Sequence, residues 1–520
     1  MLFNSFEFIF IFLPISFIGF YALASIKHSY AIAWLGFASL FFYGYWSLYS
    51  LPILIVSIIS NYLFGIKIAD QDLDNRKMWL IFAIFINLGV LGYFKYFNFF
   101  IENTNYLRIM LGLEEISFLE IALPIGISFF TFTQIAFLID SYQKKAEEKS
   151  FLSYLLFVTF FPHLIAGPII HHKEMMPQFS DQTIGRINLS KISLGLIIFS
   201  IGLSKKILIA DSLGEYADVL FNGVQSNLAP QLFLSWMGSL AYTFQLYFDF
   251  SGYSDMAIGL ALLFGIWLPI NFNSPFKASN IIDFWQRWHM TLTRYINMYL
   301  YTPITLKFAR IGINYSETTG LLFSLVIPTM IIFLILGLWH GASWNYIVFG
   351  GMHGFFIVFN HLYRRLFSKG MQASKSSKNK SLINKYLSWL ITFLAVNAAF
   401  VVFRAHSIND AIEIFKGMLG LNGITLPIFL APYLGSIAEY GNWMQASYLF
   451  SGLKLFFLLL ISFALVLLAP NTASLSQDQN AESSKLSMLN HPMVGIFFGI
   501  LFALSIANFS KTSSFLYFQF

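Results

Sequence analysis

The side chains best suited to chemistry in this chain are histidines set in apolar sequence. His340 stands in Gly337-Leu338-Trp339-His340-Gly341-Ala342-Ser343-Trp344, flanked by two indoles and a glycine. The twenty residues 320–339 before it carry no charge, which is enough helix to cross a hydrocarbon core of about 30 Å. A titratable imidazole at the end of such a span is costly to bury and points to function. Neutral imidazole takes a proton from a hydroxyl near pH 7, which makes His340 a candidate general base. The competing reading is a histidine satisfied by a neighbouring helix or facing interfacial water.

His289 lies in Asp283-Phe284-Trp285-Gln286-Arg287-Trp288-His289-Met290. On one helix Trp285, His289 and Leu292 share a face at i, i+4 and i+7, and Asp283 reaches Arg287 at i+4. Such a face suits a pocket for an anionic or planar group, for example a phosphopantetheine or coenzyme A thioester. The same pattern also describes an interfacial amphipathic helix with an aromatic belt. Asn271, Asn273 and Ser274 before Pro275 read as a turn, with Asp283 capping the next helix.

Asp249 and Asp255 form a candidate ion or acid/base pair, or else cap helix ends and pair with arginines. On a helix they lie roughly 600° apart, and Gly252 is placed to break it between them. His163 sits between Pro162 and Gly167-Pro168, where a helix must break; it is expected to satisfy the freed carbonyls. His353, among Gly350, Gly351 and Gly354, marks close helix packing. No histidines or carboxylates show metal-ligand spacing, so no metal is expected. Without cysteine there is no thiolate site and no acyl-cysteine intermediate.

The elements that must hold these side chains are helices in lipid. Of 520 residues, 57% are apolar and only 11% charged, against roughly 25% charged in soluble domains. The fold class is an all-α polytopic integral membrane protein. Apolar segments are expected at about 5–26, 31–47, 51–66, 78–95, 118–140, 151–170, 192–210, 232–248, 256–270, 320–339, 344–363, 386–404, 450–470 and 494–509, some of them re-entrant or interfacial. The segments 151–170 and 284–302 are the best candidates for not spanning. The first 26 residues have no Lys or Arg and are expected to stay as a first span. Lys67, Arg76, Lys77, Lys144, Lys145 and Lys149 fall in inward turns. Arg364, Arg365, Lys369, Lys375, Lys378, Lys380 and Lys385 make 364–385 cytoplasmic and the N-terminus external. The net charge of +6 therefore speaks to topology and not to nucleic acid. A long Gly/Pro-broken connection is expected over 405–449 and a flexible Ser-rich loop over 471–490. The residues alone leave two functions open: an enzyme, or a proton-coupled transporter or flippase.

Taken together, Leu2-Phe3-Asn4-Ser5-Phe6-Glu7-Phe8, the 161–168 cluster, 245–280, Phe284 to His289 and Leu338-Trp339-His340-Gly341 resemble the membrane-bound O-acyltransferase family. They are most similar to its bacterial alginate O-acetyltransferase branch, though Gln286 stands where that branch carries an arginine. The resemblance implies one membrane domain over 1–520, with core motifs in 151–363 and C-terminal helices in 386–509. The implied fold is a helical bundle with a central funnel. It implies His340 as general base, and His289 orienting the acceptor or stabilising the oxyanion. Trp285, Arg287, Trp339 and Asp249 are the expected substrate-binding residues. The donor would be a cytosolic thioester, acetyl-CoA or an acyl carrier protein, with no bound cofactor. The acceptor would be an extracytoplasmic polysaccharide of the alginate type, reached through a periplasmic acetyltransferase- or esterase-like partner at the bacterial inner membrane. Peptidoglycan O-acetylation and D-alanyl, lipid or protein acyl transfer are the alternatives by the same chemistry.

Overall fold

The computed structural model describes residues 1–147, 150–373, 378–424, 452–476, 492–509 and 515–516. Most of the expected 405–449 connection and of the 471–490 loop, with Lys149 and Lys375, lie outside these residues. Every regular element among the described residues is helical. In lipid this follows from the backbone, because a helix satisfies its own N–H and C=O groups where no water can.

Among the described residues five helices are long and apolar enough to span: Leu51–Ala69, Arg76–Met110, Leu189–Gln225, Glu317–His340 and Ile383–Arg404. Shorter apolar helices cover Phe8–Ala24, Leu453–Leu468 and Pro492–Ala507. The described chain falls into two compact units. The first holds Met1–Leu203, Tyr253–Ile270 and Leu475–Phe520; the second holds Ser204–Gly252 and Asn271–Ser474.

In the first unit the break after helix Phe151–Thr159 is built by Pro162 and Gly167. His163 Nε2 lies 3.0 Å from the Phe157 carbonyl, one of those the break frees. A side chain on Gly167 would meet His163 Cα at 2.3 Å, so only glycine lets the chain fold back here. The segment expected as a span from 118 starts its helix only at Ile127. Before it the chain is extended, and Asn105 and Asn98 side chains bond the backbone of Ile116 and Leu119. Those amides satisfy backbone groups in a stretch that forms no helix.

Two expected segments, 232–248 and 256–270, are in fact joined in one 32-residue helix, Leu232–Leu263, and Gly252 does not break it. Residues 241–266 are all buried. A helical glycine costs about 1 kcal/mol, less than the roughly 1–3 kcal/mol of each buried backbone group that a break would orphan. The helix contributes 232–252 to the second unit and its remainder to the first.

Candidate active site

The second unit carries His289, His340 and His353. Helix Ile327–His340 ends on His340, Gly341 turns the chain in extended conformation, and helix Trp344–Ala373 returns. The two helices cross where Gly337 meets Tyr346 and Gly350. A Cβ on Gly337 would lie 2.1 Å from the Tyr346 carbonyl oxygen, and one on Gly350 2.1 Å from that of Phe333. This glycine-to-glycine approach turns His340, Phe349 and His353 toward one another.

The result is a continuous row of rings. His289 and Trp339 centroids are 6.5 Å apart, Trp339 and His340 4.9 Å, and His340 and Phe349 5.7 Å. Phe349 to His353 is 4.7 Å and His353 to Trp285 5.1 Å. Phe403 closes on His340 from the side at 5.2 Å. All these side chains are buried, His340 at 9% exposure being the most open of the three histidines. Trp285 donates its indole N–H to His353 Nδ1 at 3.2 Å. That nitrogen therefore carries a lone pair, and the His353 proton sits on Nε2.

His289 differs from the expectation. The helix begun at Ile281 stops at Trp285, and a new one runs Met290–Ile296, so Trp285, His289 and Leu292 do not share one helix face. Asn280, rather than Asp283, caps the first helix, its side chain accepting from Asp283 N–H. The interruption has a cause in backbone pairing. Asn273 N–H bonds the Arg287 carbonyl and Met290 N–H the Asn271 carbonyl, both at 2.9 Å. Together they pull 287–290 out of helix against the 271–273 strand-like stretch. His289 takes up the turn at φ 45° and ψ 53°, in the left-handed region. A side chain pays about 1–2 kcal/mol there, a strain that recurs at functional sites.

The turn aims the imidazole with its Nδ1 2.9 Å from Asn271 Oδ1, which also accepts from Thr291 at 2.9 Å. A carbonyl oxygen only accepts, so Nδ1 carries the proton and Nε2 of the neutral ring is a lone-pair acceptor. Phe250 packs edge-on at 4.8 Å. Asn271→Ala removes the group that sets this tautomer. Activity is expected to fall about tenfold, the cost of one buried hydrogen bond. Steady-state kinetics on purified protein checks this; wild-type kinetics would make the Asn271–His289 bond structural only.

The other expected substrate residues lie at different places. Arg287 pairs with Asp283 at 2.7 Å as the i, i+4 spacing requires, on a partly exposed surface. Trp285 lines an open pocket of about 570 Å³ with Gln286, Met290, Thr293, Arg294, Asn297, Met298 and Thr302. The cation in that wall is Arg294, which the sequence reading missed; only its position one turn beyond Met290 hinted at it. Asp249 sits in a buried ion cluster, where Lys206 Nζ lies 2.6 Å from its carboxylate and 2.7 Å from that of Asp211. Lys206 belongs to a π-helical stretch, Lys205–Ala210, of the long helix. As sequence it was visible only as a charge interrupting an apolar run. Among the described residues no three histidines or carboxylates gather as a metal site.

Helices long and apolar enough to span, with a buried row of imidazole and indole rings in the second unit, define a helical membrane protein. The chain belongs to the membrane-bound O-acyltransferase family, whose model matches residues 93–403. It is 43% identical over 454 residues to a peptidoglycan O-acetyltransferase of Helicobacter pylori, covering 82% of this chain and 81% of that one. It is 36% identical over 421 residues to a probable alginate O-acetylase AlgI of Pseudomonas aeruginosa, covering 80% and 75%. A teichoic acid D-alanyltransferase of Streptococcus thermophilus matches at 28% over 299 residues, 55% of this chain and 69% of that one. The protein is thus a membrane acyltransferase.

Proposed function

We propose that this enzyme passes an acetyl group from a cytosolic thioester toward hydroxyls of an extracytoplasmic glycan, with His340 as general base on the first acceptor hydroxyl and a periplasmic partner completing the transfer. The observation that carries the reading is the row of rings joining His340 to Trp285 and its pocket. The basic residues of 364–385 favour a cytoplasmic position for that connection. Helix Trp344–Ala373 leads into it and helix Lys378–Arg404 leads away. His340, beside the start of the first and the end of the second, then lies toward the outer face. His353 is nine residues into helix Trp344–Ala373, roughly 14 Å along its axis from Trp344 toward the cytosolic end.

A thioester donor, acetyl-CoA or the phosphopantetheine arm of a carrier protein, enters by the pocket of Trp285 and Arg294, where the guanidinium faces phosphate. His340 removes the proton from the acceptor hydroxyl as its oxygen attacks the thioester carbonyl. The C–S bond breaks, and the proton passes to the leaving thiolate. His289, accepting at Nε2, holds a neighbouring donor group of the acceptor, so acceptor orientation fits its tautomer better than oxyanion stabilisation does. Because the thioester is already activated, proximity and proton transfer suffice.

Peptidoglycan is the first choice of acceptor, since the peptidoglycan-acetylating relative shares more of its sequence with this chain than the alginate-acetylating one does. An alginate-like exopolysaccharide is the second. A periplasmic transferase partner and a site in a bacterial inner membrane belong to the same proposal. The test is O-acetyl content of peptidoglycan and of exported polysaccharide in a deletion strain carrying the wild type or His340→Asn. Ester lost from one glycan and restored only by the wild type is expected. Equal ester in both glycans across all strains would overturn the glycan acceptor.

A further inference from the structure

The helical hairpin that opens the first unit holds a cavity that none of these steps uses. Helix Phe8–Ala24 and helix His28–Trp46 are joined by the short turn 25–27 and run antiparallel. Between them opens an apolar groove of about 350 Å³, with Glu7 and Tyr45 at one end and Ser16 and Trp34 at the other. Trp34 closes the far end. Its indole N–H donates to the Ser16 carbonyl at 3.0 Å, and a Cβ on Gly19 would lie 2.4 Å from the ring, so glycine lets the indole press against the helix. Phe41, stacked on Phe12 at 6.3 Å, makes a side wall. Ile11, Ile15, Phe37 and Phe41 each leave more than half of their surface exposed. The groove therefore opens sideways, onto the apolar flank that these helices turn toward lipid.

Depth and charge together select an occupant. From Glu7 to Ser16 the groove follows nine residues of helix, roughly 14 Å, which is one leaflet of a hydrocarbon core about 30 Å thick. That depth suits a single acyl chain lying along the helices. The mouth carries the exposed carboxylate of Glu7. Burial lowers the Met1 α-amino group to about 6 against the pull of Glu7, so at neutral pH it is mostly uncharged and leaves the carboxylate's charge standing. We propose that this groove seats a resident ethanolamine phospholipid, one acyl chain running from Trp34 to the mouth and the headgroup ammonium meeting Glu7. The lipid is neither donor nor acceptor in the transfer reaction. An ammonium brings a positive charge and three N–H donors to a group that only accepts. The anionic headgroup of phosphatidylglycerol would instead set like charge against it. Tyr45, at the same level, has the amphipathic ring that favours the headgroup boundary. The apolar walls hold the chain, and the carboxylate chooses the head.

Native mass spectrometry of the purified full chain tests both features at once, in detergent with equal amounts of phosphatidylethanolamine and phosphatidylglycerol of identical acyl chains. The wild type is expected to retain one lipid, with the ethanolamine form favoured about fivefold, the upper end for an exposed ion pair. Glu7→Gln keeps the lipid and loses the preference. Ala38→Leu fills the groove from its buried wall, and Ile15→Trp fills it from the exposed side without entering the packed core. Each is expected to lose the bound lipid, and cooperative unfolding of Ile15→Trp separates a lost lipid from a lost fold. Ile81→Trp, a similarly exposed position on helix Arg76–Met110, keeps wild-type occupancy. Full occupancy in both Ala38→Leu and Ile15→Trp overturns the groove as a site. An equal loss in Ile81→Trp overturns it too, since the lipid would then belong to the general annulus. Equal amounts of the two lipids on the wild type, or a preference that survives Glu7→Gln, overturns the assignment of the headgroup.

Discussion

His340→Asn is expected to lower acyl transfer by about 10²–10⁴-fold, the usual worth of a positioned general base, while the protein still inserts and unfolds near the wild-type temperature. The asparagine variant is more informative than alanine. His340 is enclosed by Trp339, Phe349 and Phe403, so alanine also opens a hole in an aromatic cage, with a packing cost of its own. Asparagine keeps a planar polar side chain of similar reach but cannot take a proton from a hydroxyl near neutrality. Thioester consumption coupled to ester formation is the measurement. A rate within threefold of wild type would remove His340 from the role of base and leave His353, further along the same row, to be tested next.

Lys206→Met is expected to destabilise the protein by about 3–5 kcal/mol, the cost of removing one partner from a buried ion cluster. The lysine is nearly inaccessible, and it bridges the carboxylates of Asp211 and Asp249. Both acids would then lie buried without their cation. The expected signs are a low yield of folded protein and a fall in unfolding temperature. Combining Lys206→Met with Asp211→Asn and Asp249→Asn should recover most of the loss, since neutral amides and an apolar chain leave no stranded charge. Wild-type stability of Lys206→Met would show the cluster to be inert. The same series examines Asp249 as a substrate residue: Asp249→Asn with normal stability and no transfer would place it in the reaction, whereas loss of stability alone would place it in the scaffold.

Much of the site was legible where the signal is local. An uncharged run of span length ending in Trp339-His340-Gly341 announces a buried imidazole at a helix end, because length and hydropathy are read directly along the chain. Asp283 and Arg287 paired as their spacing required. His163 closed the carbonyl gap left by its own Pro-Gly break. His289 shows where such reading stops. Its apolar periodicity is helical, yet the backbone of 271–273 captures 287–290 and turns His289 through left-handed space. That outcome depends on partners fourteen and nineteen residues away, which no local pattern encodes. Gly252 erred in the opposite direction, a helix breaker overruled by burial on all sides.

The sequence by itself determined that this chain is a helical membrane protein with histidines at helix ends. In lipid every backbone polar group must be satisfied within its own helix, and charge is too costly to scatter. Only the tertiary structure decided which histidines share a row, which nitrogen of His289 is left to accept, that Asp249 meets Lys206, and that Phe403 packs on His340. Those outcomes turn on contacts between segments far apart in the chain, where close glycine packing and single hydrogen bonds select one arrangement among many that the same hydropathy allows.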